Sequence, residues 1–191
     1  MHDYVVKVFK ESNQIKDIFL NENLGKIVQV VDVVTATLKA GNKILLFGNG
    51  GSAADAQHIA GELVGKFLLQ RQGLNVQCLS SNTSVLTAWG NDVSFDTVFA
   101  RQVEAHGVTG GVLLALSTSG RSRNVVLAAE AARARGMAVI SLTGQGGGDL
   151  AALSEALIEA PTTSTPRVQE FHLLYYHYLC QIIEARLVQA S

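Results

Sequence analysis

The sequence predicts an α/β fold: a three-layer sandwich around a five-stranded parallel, flavodoxin-like sheet, with helices before it and one long helix after it. Three observations predict this. From residue 43 onward, short apolar runs alternate with helical patterns. Runs such as Val112–Leu116 and Ala138–Leu142 are continuously apolar, as suits parallel strands covered on both faces. Two runs lead directly into loops rich in glycine and hydroxyl groups, Gly48-Asn49-Gly50-Gly51-Ser52 and Ser117-Thr118-Ser119-Gly120-Arg121-Ser122.

Taken in order, residues 3–20 and 22–40 read as helices; Ile27 to Leu38 carries apolar residues at helical spacing, and Ala40-Gly41-Asn42 ends the pattern. Strands are predicted at about 43–47, 75–80, 111–116, 137–142 and 155–160. Helices are predicted at about 52–67, 83–90 with 94–106, 122–135 and 149–153. Gly146-Gly147-Gly148 reads as a loop before the short helix. The last helix begins near Thr165-Pro166, with proline in its first turn, and runs to about Val188. The chain thus reads as a single domain over 1–191. A helical region spans about 3–40, an α/β core about 43–160 and a C-terminal helix about 166–188.

Composition narrows the class. At 191 residues the chain suits one domain with a real core. Hydrophobic residues make up 48% and charged ones only 16%, which favours an oligomer over a monomer. Net charge is −1 and no basic cluster stands out, so no nucleic-acid partner is expected. Cys78 and Cys180 read as buried free thiols, and without a CxxC there is neither a redox motif nor a thiolate metal site. The N-terminus lacks the pattern of a signal peptide and no apolar run reaches transmembrane length. The expectation is a cytoplasmic protein with no membrane partner.

The two loops carry the functional signal. Glycines let a backbone approach an anion closely, and hydroxyls and free amides at a helix N-terminus donate to it. Ser117, Thr118, Ser119 and Ser122 place four hydroxyls at one helix start, more than N-capping needs. Neither loop is a Walker A motif or a dinucleotide fingerprint. In a 2-1-3-4-5 sheet, ligands sit where strand order reverses, between the first and third strands, and both loops follow those strands.

His58 and Glu62, four apart, share one helix face. The flanking Ala53, Ala54, Ala56, Ile59, Ala60, Leu63 and Val64 predict a buried helix, where a His and a Glu need partners. They suit metal ligation, acid/base chemistry or both. On the last helix lie Gln169, Glu170, His172 and His177. Residues 169 and 177 are about 80° apart around a helix and about 12 Å along it. That separation strains any arrangement bringing both to one metal from a straight helix. A kink, a long reach by the glutamine, or ligands drawn from two chains would relieve it. His172 reads as a core or interface residue. Asn91 and Asp92, after Trp89-Gly90, read as a turn or as donors and acceptors for substrate hydroxyls.

Together, Gly48-Asn49-Gly50-Gly51-Ser52, His58-x3-Glu62, Gly90-Asn91-Asp92, Ser117-Thr118-Ser119-Gly120-x-Ser122, Leu142-Thr143-Gly144 and Arg167-Val168-Gln169-Glu170-x6-His177 resemble the sugar isomerase (SIS) superfamily. Within it they resemble the phosphoheptose isomerase family, from about residue 20 to the end. The resemblance implies interconversion of sedoheptulose 7-phosphate and D-glycero-D-manno-heptose 7-phosphate through an enediol, the first step of heptose synthesis for lipopolysaccharide or other surface polysaccharide. It implies a homotetramer with active sites at subunit interfaces, and one zinc per subunit at His58, Glu62, Gln169 and His177. It implies substrate contacts from Asn49, Gly50, Gly51, Ser52, Glu62, Asn91, Asp92, Ser117, Thr118, Ser119, Ser122 and Gln169, with Glu62 and His177 as catalytic base and acid. Two positions depart from the pattern. Ser164-Thr165-Pro166 stands where many relatives carry an acidic residue. Lys66 stands where some carry arginine, so a bidentate phosphate contact there is not expected. Non-catalytic members of the superfamily bind the bacterial replication initiator. They lack the glutamate and histidine at the positions of Glu62 and His177, and both are present here.

Overall fold

The apolar runs form β1 (Ile44–Gly48), β2 (Val76–Cys78), β3 (Val112–Ser117), β4 (Ala138–Thr143) and β5 (Ala156–Glu159) in the computed structural model, which describes residues 1–188 apart from the side chains of 20–22. All pairings are parallel and the order is β2-β1-β3-β4-β5, as expected. Gly48 lies opposite Leu116, so β1 and β3 end level and their loops leave the sheet side by side at the reversal.

Successive strand residues enter opposite cores. Ile44, Leu46, Val112, Leu114, Ile140 and Ile158 face one core with α1 (His2–Lys39), α2 (Gly51–Val64) and α6 (Thr165–Val188). Leu45, Phe47, Leu113, Ala115 and Val139 face the other, with α4 (Val98–His106) and α5 (Arg123–Ala134). This period of two, read on both sides, is why the runs are apolar throughout. The three predicted layers are present.

Four boundaries differ from expectation. The two predicted N-terminal helices are one, α1, because nothing between them breaks a helix and Gly25 is tolerated inside it. β2 is shorter than predicted: as an edge strand it has one neighbour, and Ser80 turns away to bond the Gly48 backbone. Residues 83–106 form α3 (Thr83–Trp89), a π-helical turn over Gly90–Ser94, a 3-10 turn over Phe95–Thr97, and α4. The helix expected at 149–153 is a 3-10 turn over Gly148–Leu150, held short by glycines that meet the loop after β3. Among the described residues no helix is long and apolar enough to cross a membrane. Both cysteines are free and buried.

His172 is a core residue, as its sequence context suggests. It is fully buried on α6 and its Nε2–H donates to the Thr143 carbonyl at 3.2 Å. Burial pulls its pKa down to about 4, against a smaller opposing effect of that hydrogen bond. The unfolded imidazole takes up its proton near pH 6.5, so between pH 6.5 and 4 the unfolded chain binds a proton the folded chain refuses. Stability therefore falls as pH drops through this window, by about 3 kcal/mol for this group. In His172→Gln, which keeps a donor for Thr143 but does not titrate, the melting temperature should fall less between pH 6.5 and 4 than in wild type. Equal slopes would remove His172 as the cause.

Candidate active site

The first loop is fixed by backbone contacts. Ser80 Oγ accepts from Gly48 N at 3.2 Å and donates to Gly48 O at 2.9 Å. Gly50 takes φ +53°, a glycine conformation, and turns the chain into α2. At Gly51 a Cβ would stand 2.3 Å from Gln169 Nε2, so glycine leaves room for the end of that side chain against the loop.

The second loop is equally constrained. Gly120 N donates to Ser117 Oγ and Arg121 N to Ser119 Oγ, each at 3.2 Å. Gly120 has φ +63°, and a Cβ there would fall 2.0 Å from the Gly147 carbonyl oxygen. The three-glycine loop thus backs the hydroxyl loop backbone to backbone. Ser122 precedes α5 without making a side-chain cap bond, so the capping explanation fails for that hydroxyl.

The loops are tied across the strand-order reversal by a reciprocal amide pair. Asn49 Nδ2 donates to Asn124 Oδ1, and Asn124 Nδ2 to Asn49 Oδ1, both at 2.9 Å. Sequence reasoning missed Asn124. Its signal was an amide in the first turn of α5, between a hydroxyl loop and a run of apolar residues.

Between the loops lies a cleft of about 70 Å³ lined by Asn49, Ser52, Leu116, Ser117, Thr118, Ser122 and Gln169. Ser119 opens instead, with Thr118, Arg121 and Gln145, onto an adjoining cleft of about 240 Å³. The N-termini of α2 and α5 both adjoin the first cleft, and their amides and dipoles favour an anion there. Asn91 and Asp92 line neither cleft. They are exposed on the π-helical turn, with Asn91 Nδ2 donating to Asp92 Oδ1 at 2.8 Å.

Farther along α2, His58, Glu62 and His177 bring their ligand atoms within 4.8 Å of one another. His58 Nε2 lies 3.0 Å from Glu62 Oε1, and the His58 and His177 rings are 5.1 Å apart. All three belong to one chain. The separation of Gln169 from His177 along α6 stands as the helix spacing predicts, and only His177 reaches the trio. α6 runs in the same direction as α2, so Gln169 meets Gly51 at the loop end while His177 meets His58 and Glu62 farther on. Neither a kink nor a second chain is needed to assemble the trio. The expectation of a closely packed α2 is also corrected. Ala56, Ile59 and Leu63 are buried, but His58 stands on the open side, 44% exposed, and Glu62 is partly covered at 23%.

Tyr176 is a second residue the sequence reading missed. Its hydroxyl lies 2.9 Å from His58 Nδ1, and the Asp55 carboxylate acts on the same hydroxyl. Burial, then the Asp55 charge, push the Tyr176 pKa up, so the phenol stays protonated. Burial likewise raises Asp55, against the pull of His58 and Tyr176. Cys180 beneath the trio is pushed up to about 12, chiefly by burial and then by Glu62, and is an inert thiol.

Two imidazoles and a carboxylate this close form a donor set suited to a divalent metal, and two N and one O are the usual count for a catalytic zinc. The histidine beside Tyr176 has its second nitrogen engaged, the arrangement that orients a metal-binding imidazole. Comparison with known proteins identifies the family. The SIS domain family model matches residues 8–144. The phosphoheptose isomerase of Rhodospirillum rubrum is 53% identical over 161 residues, 84% of this chain and 86% of that protein. That of Aquifex aeolicus is 44% identical over 191 residues, the whole of both. Among solved structures, the phosphoheptose isomerase of Neisseria gonorrhoeae superposes with a TM-score of 0.91 at 42% identity, covering 96% of this chain and 98% of that one. The enzyme of Francisella tularensis gives 0.92 at 34% identity, covering 96% and 97%. The chain belongs to the SIS-domain family and, within it, to the phosphoheptose isomerases.

Proposed function

We propose that the chain is an aldose–ketose isomerase converting sedoheptulose 7-phosphate to D-glycero-D-manno-heptose 7-phosphate through an enediol, at the start of heptose synthesis for lipopolysaccharide or other surface polysaccharide. One observation carries the reading: an anion cleft and an acid/base trio lie on the same helix. Seven residues separate Gly51 from His58, about 10 Å along α2, which suits a seven-carbon sugar with phosphate at one end and carbonyl at the other. The trio counts against the non-catalytic reading, which needs neither Glu62 nor His177.

Each residue has a role in this reading. Asn49, Gly50, Gly51, Ser52, Ser117, Thr118, Ser119 and Ser122 hold the phosphate end, and Gln169, between loop and trio, holds the sugar chain. Asn91 and Asp92 keep the assignment of substrate contacts only through a movement of their turn or from a neighbouring subunit. Glu62 moves the proton between C1 and C2, and its Oε1 already faces His58, which leaves Oε2 for the carbon acid. His177 supplies and removes the proton at the substrate oxygens.

His58, Glu62 and His177 are the residues that would hold one zinc per subunit, and Gln169, whose side chain lies against Gly51, would have to swing along α2 to serve as a fourth ligand. Zinc there would supply Lewis-acid polarisation of the substrate oxygens. The proposed homotetramer, with sites at its interfaces, is supported by apolar residues left exposed on one chain. These are Tyr4, Phe9 and Val28 on α1 and Leu173, Tyr178 and Ile182 on α6.

A coupled assay of heptose 7-phosphate formation tests the activity itself. Glu62→Gln and His177→Gln should each lower turnover by at least about 10² with the fold intact. Near-wild-type turnover in either would remove that residue from the chemistry. Purified protein should carry about one zinc per chain, and chelation should abolish activity until zinc is restored. Full activity without metal would make the ion a bystander. Tyr176→Phe should weaken zinc binding by about 10–100-fold in chelator competition. Unchanged affinity would show that His58 needs no help from that hydroxyl.

A further inference from the structure

A buried ion pair outside the site joins the two helices that carry its ligands. Glu184 on α6 is 1% exposed and Arg71, in the segment between α2 and β2, is 6% exposed, with Arg71 Nε 3.1 Å from Glu184 Oε1. Neither residue entered the sequence reading, and neither lines the anion clefts or the trio.

Each partner does more than pair. Glu184 accepts three consecutive backbone N–H groups, from Phe67 at 2.9 Å, Leu68 at 2.6 Å and Leu69 at 2.7 Å. Burial pushes its pKa up, but these three bonds and Arg71 outweigh it and hold the carboxyl below its usual range, so it is charged. Arg71 Nη2 donates to the Glu62 carbonyl at 2.9 Å. Its Nη1 donates to Leu63 at 2.9 Å, Gly65 at 3.2 Å and Gln72 at 3.0 Å. The carbonyls of Glu62 and Leu63 belong to the last turn of α2, which lacks intrahelical partners, and a cation there also meets the favourable end of the helix dipole.

These contacts end on the metal-ligand candidates. Glu62 rides on the very turn that the guanidinium caps. Phe67, whose N–H Glu184 holds, places its ring 5.8 Å from the His177 ring. Glu184 is seven residues beyond His177, two turns along the same face of α6. We infer that Arg71 and Glu184 are positioning residues: their ion pair fixes the Glu62 turn and the Phe67 loop against α6, and so sets the spacing of Glu62 and His177 at the reacting end of the site. The inference rests on the metal-assisted isomerase reading above.

The test uses Arg71→Lys, which keeps the charge opposite Glu184 but cannot serve four carbonyls from one planar fork. It is paired with Glu184→Gln, and with Phe67→Leu, which leaves the ion pair untouched. Val139→Ala, in the opposite core, serves as a control for general destabilisation. Zinc affinity by chelator competition, melting temperature, and kcat and KM are read on the full-length protein. Arg71→Lys and Glu184→Gln should bind zinc about 10–100-fold more weakly and lose kcat with KM within about twofold, while Phe67→Leu shifts zinc affinity in the same direction. Val139→Ala should lower the melting temperature with zinc affinity and kcat unchanged. Wild-type affinity and kcat in the variants that fold would overturn the inference, as would equal losses in the control. Should either ion-pair variant fail to fold, Phe67→Leu decides: wild-type affinity and kcat there overturn the inference. If wild-type protein binds no zinc, the metal reading fails, and the kcat-against-KM comparison still decides whether the ion pair positions the site.

Discussion

The parallel packing of α6 along α2, marked at the loop end by the contact between Gly51 and Gln169, sets the geometry on which the rest of the site depends. A glycine at the first position of α2 lets a side chain of α6 come closer than any Cβ would permit. Once α6 is seated there and runs along α2, a position eight residues on must lie beside the second half of α2, where His58 and Glu62 stand. One close approach therefore does two things. It forms a wall of the anion cleft and registers one helix against the other. A larger residue at 51 would displace the end of the Gln169 side chain from this wall of the cleft.

The cleft between the loops is held in shape by contacts of the protein with itself. Ser80 holds Gly48 at both backbone groups, Asn49 and Asn124 lock loop to loop, and the three-glycine loop presses on Gly120. Each contact uses up conformational freedom in folding, not in binding, so donors aimed at the cleft need little reorganisation when charge enters. The trio is held differently. His58 and Glu62 are on the open side of their helix, and their order comes from Tyr176 behind His58 and from the capped turn under Glu62.

How much of this was legible in the sequence depends on range. Strand order and the meeting of the two loops followed from local signals: continuous apolar runs, and glycine and hydroxyl clusters at their ends. The family resemblance followed from the same clusters. The unbroken α1 was not legible, because helix ends were sought where no residue compels one. Asn124, Tyr176, Arg71 and Glu184 were not legible, because an amide, a phenol and an ion pair acquire meaning only from partners tens of residues away, 75 for Asn49 and Asn124 and 118 for His58 and Tyr176. The spacing of Gln169 and His177, about two turns, was legible as an obstacle to one shared metal, but what stands beside each was not, because that is set by the neighbouring helix α2.

The partial exposure of the trio bears on assembly. Moving a proton between adjacent carbons through an enediol requires that water be kept from the intermediate. Yet a single chain leaves the His58 side chain 44% exposed and Glu62 23%. The same chain leaves Leu173, Tyr178 and Ile182 uncovered on α6, beside the residues that face α2, and Val64 and Leu68 uncovered where α2 ends. These apolar side chains lie exposed on, or just beyond, the two helices that carry the trio. Covering these helices with another subunit would remove that apolar surface from water, and a subunit that also covered the open side of His58 would dry the reacting end of the site. The ligands can thus come from one chain while a second completes the pocket, so a trio assembled within a subunit is compatible with the proposed active site at an interface.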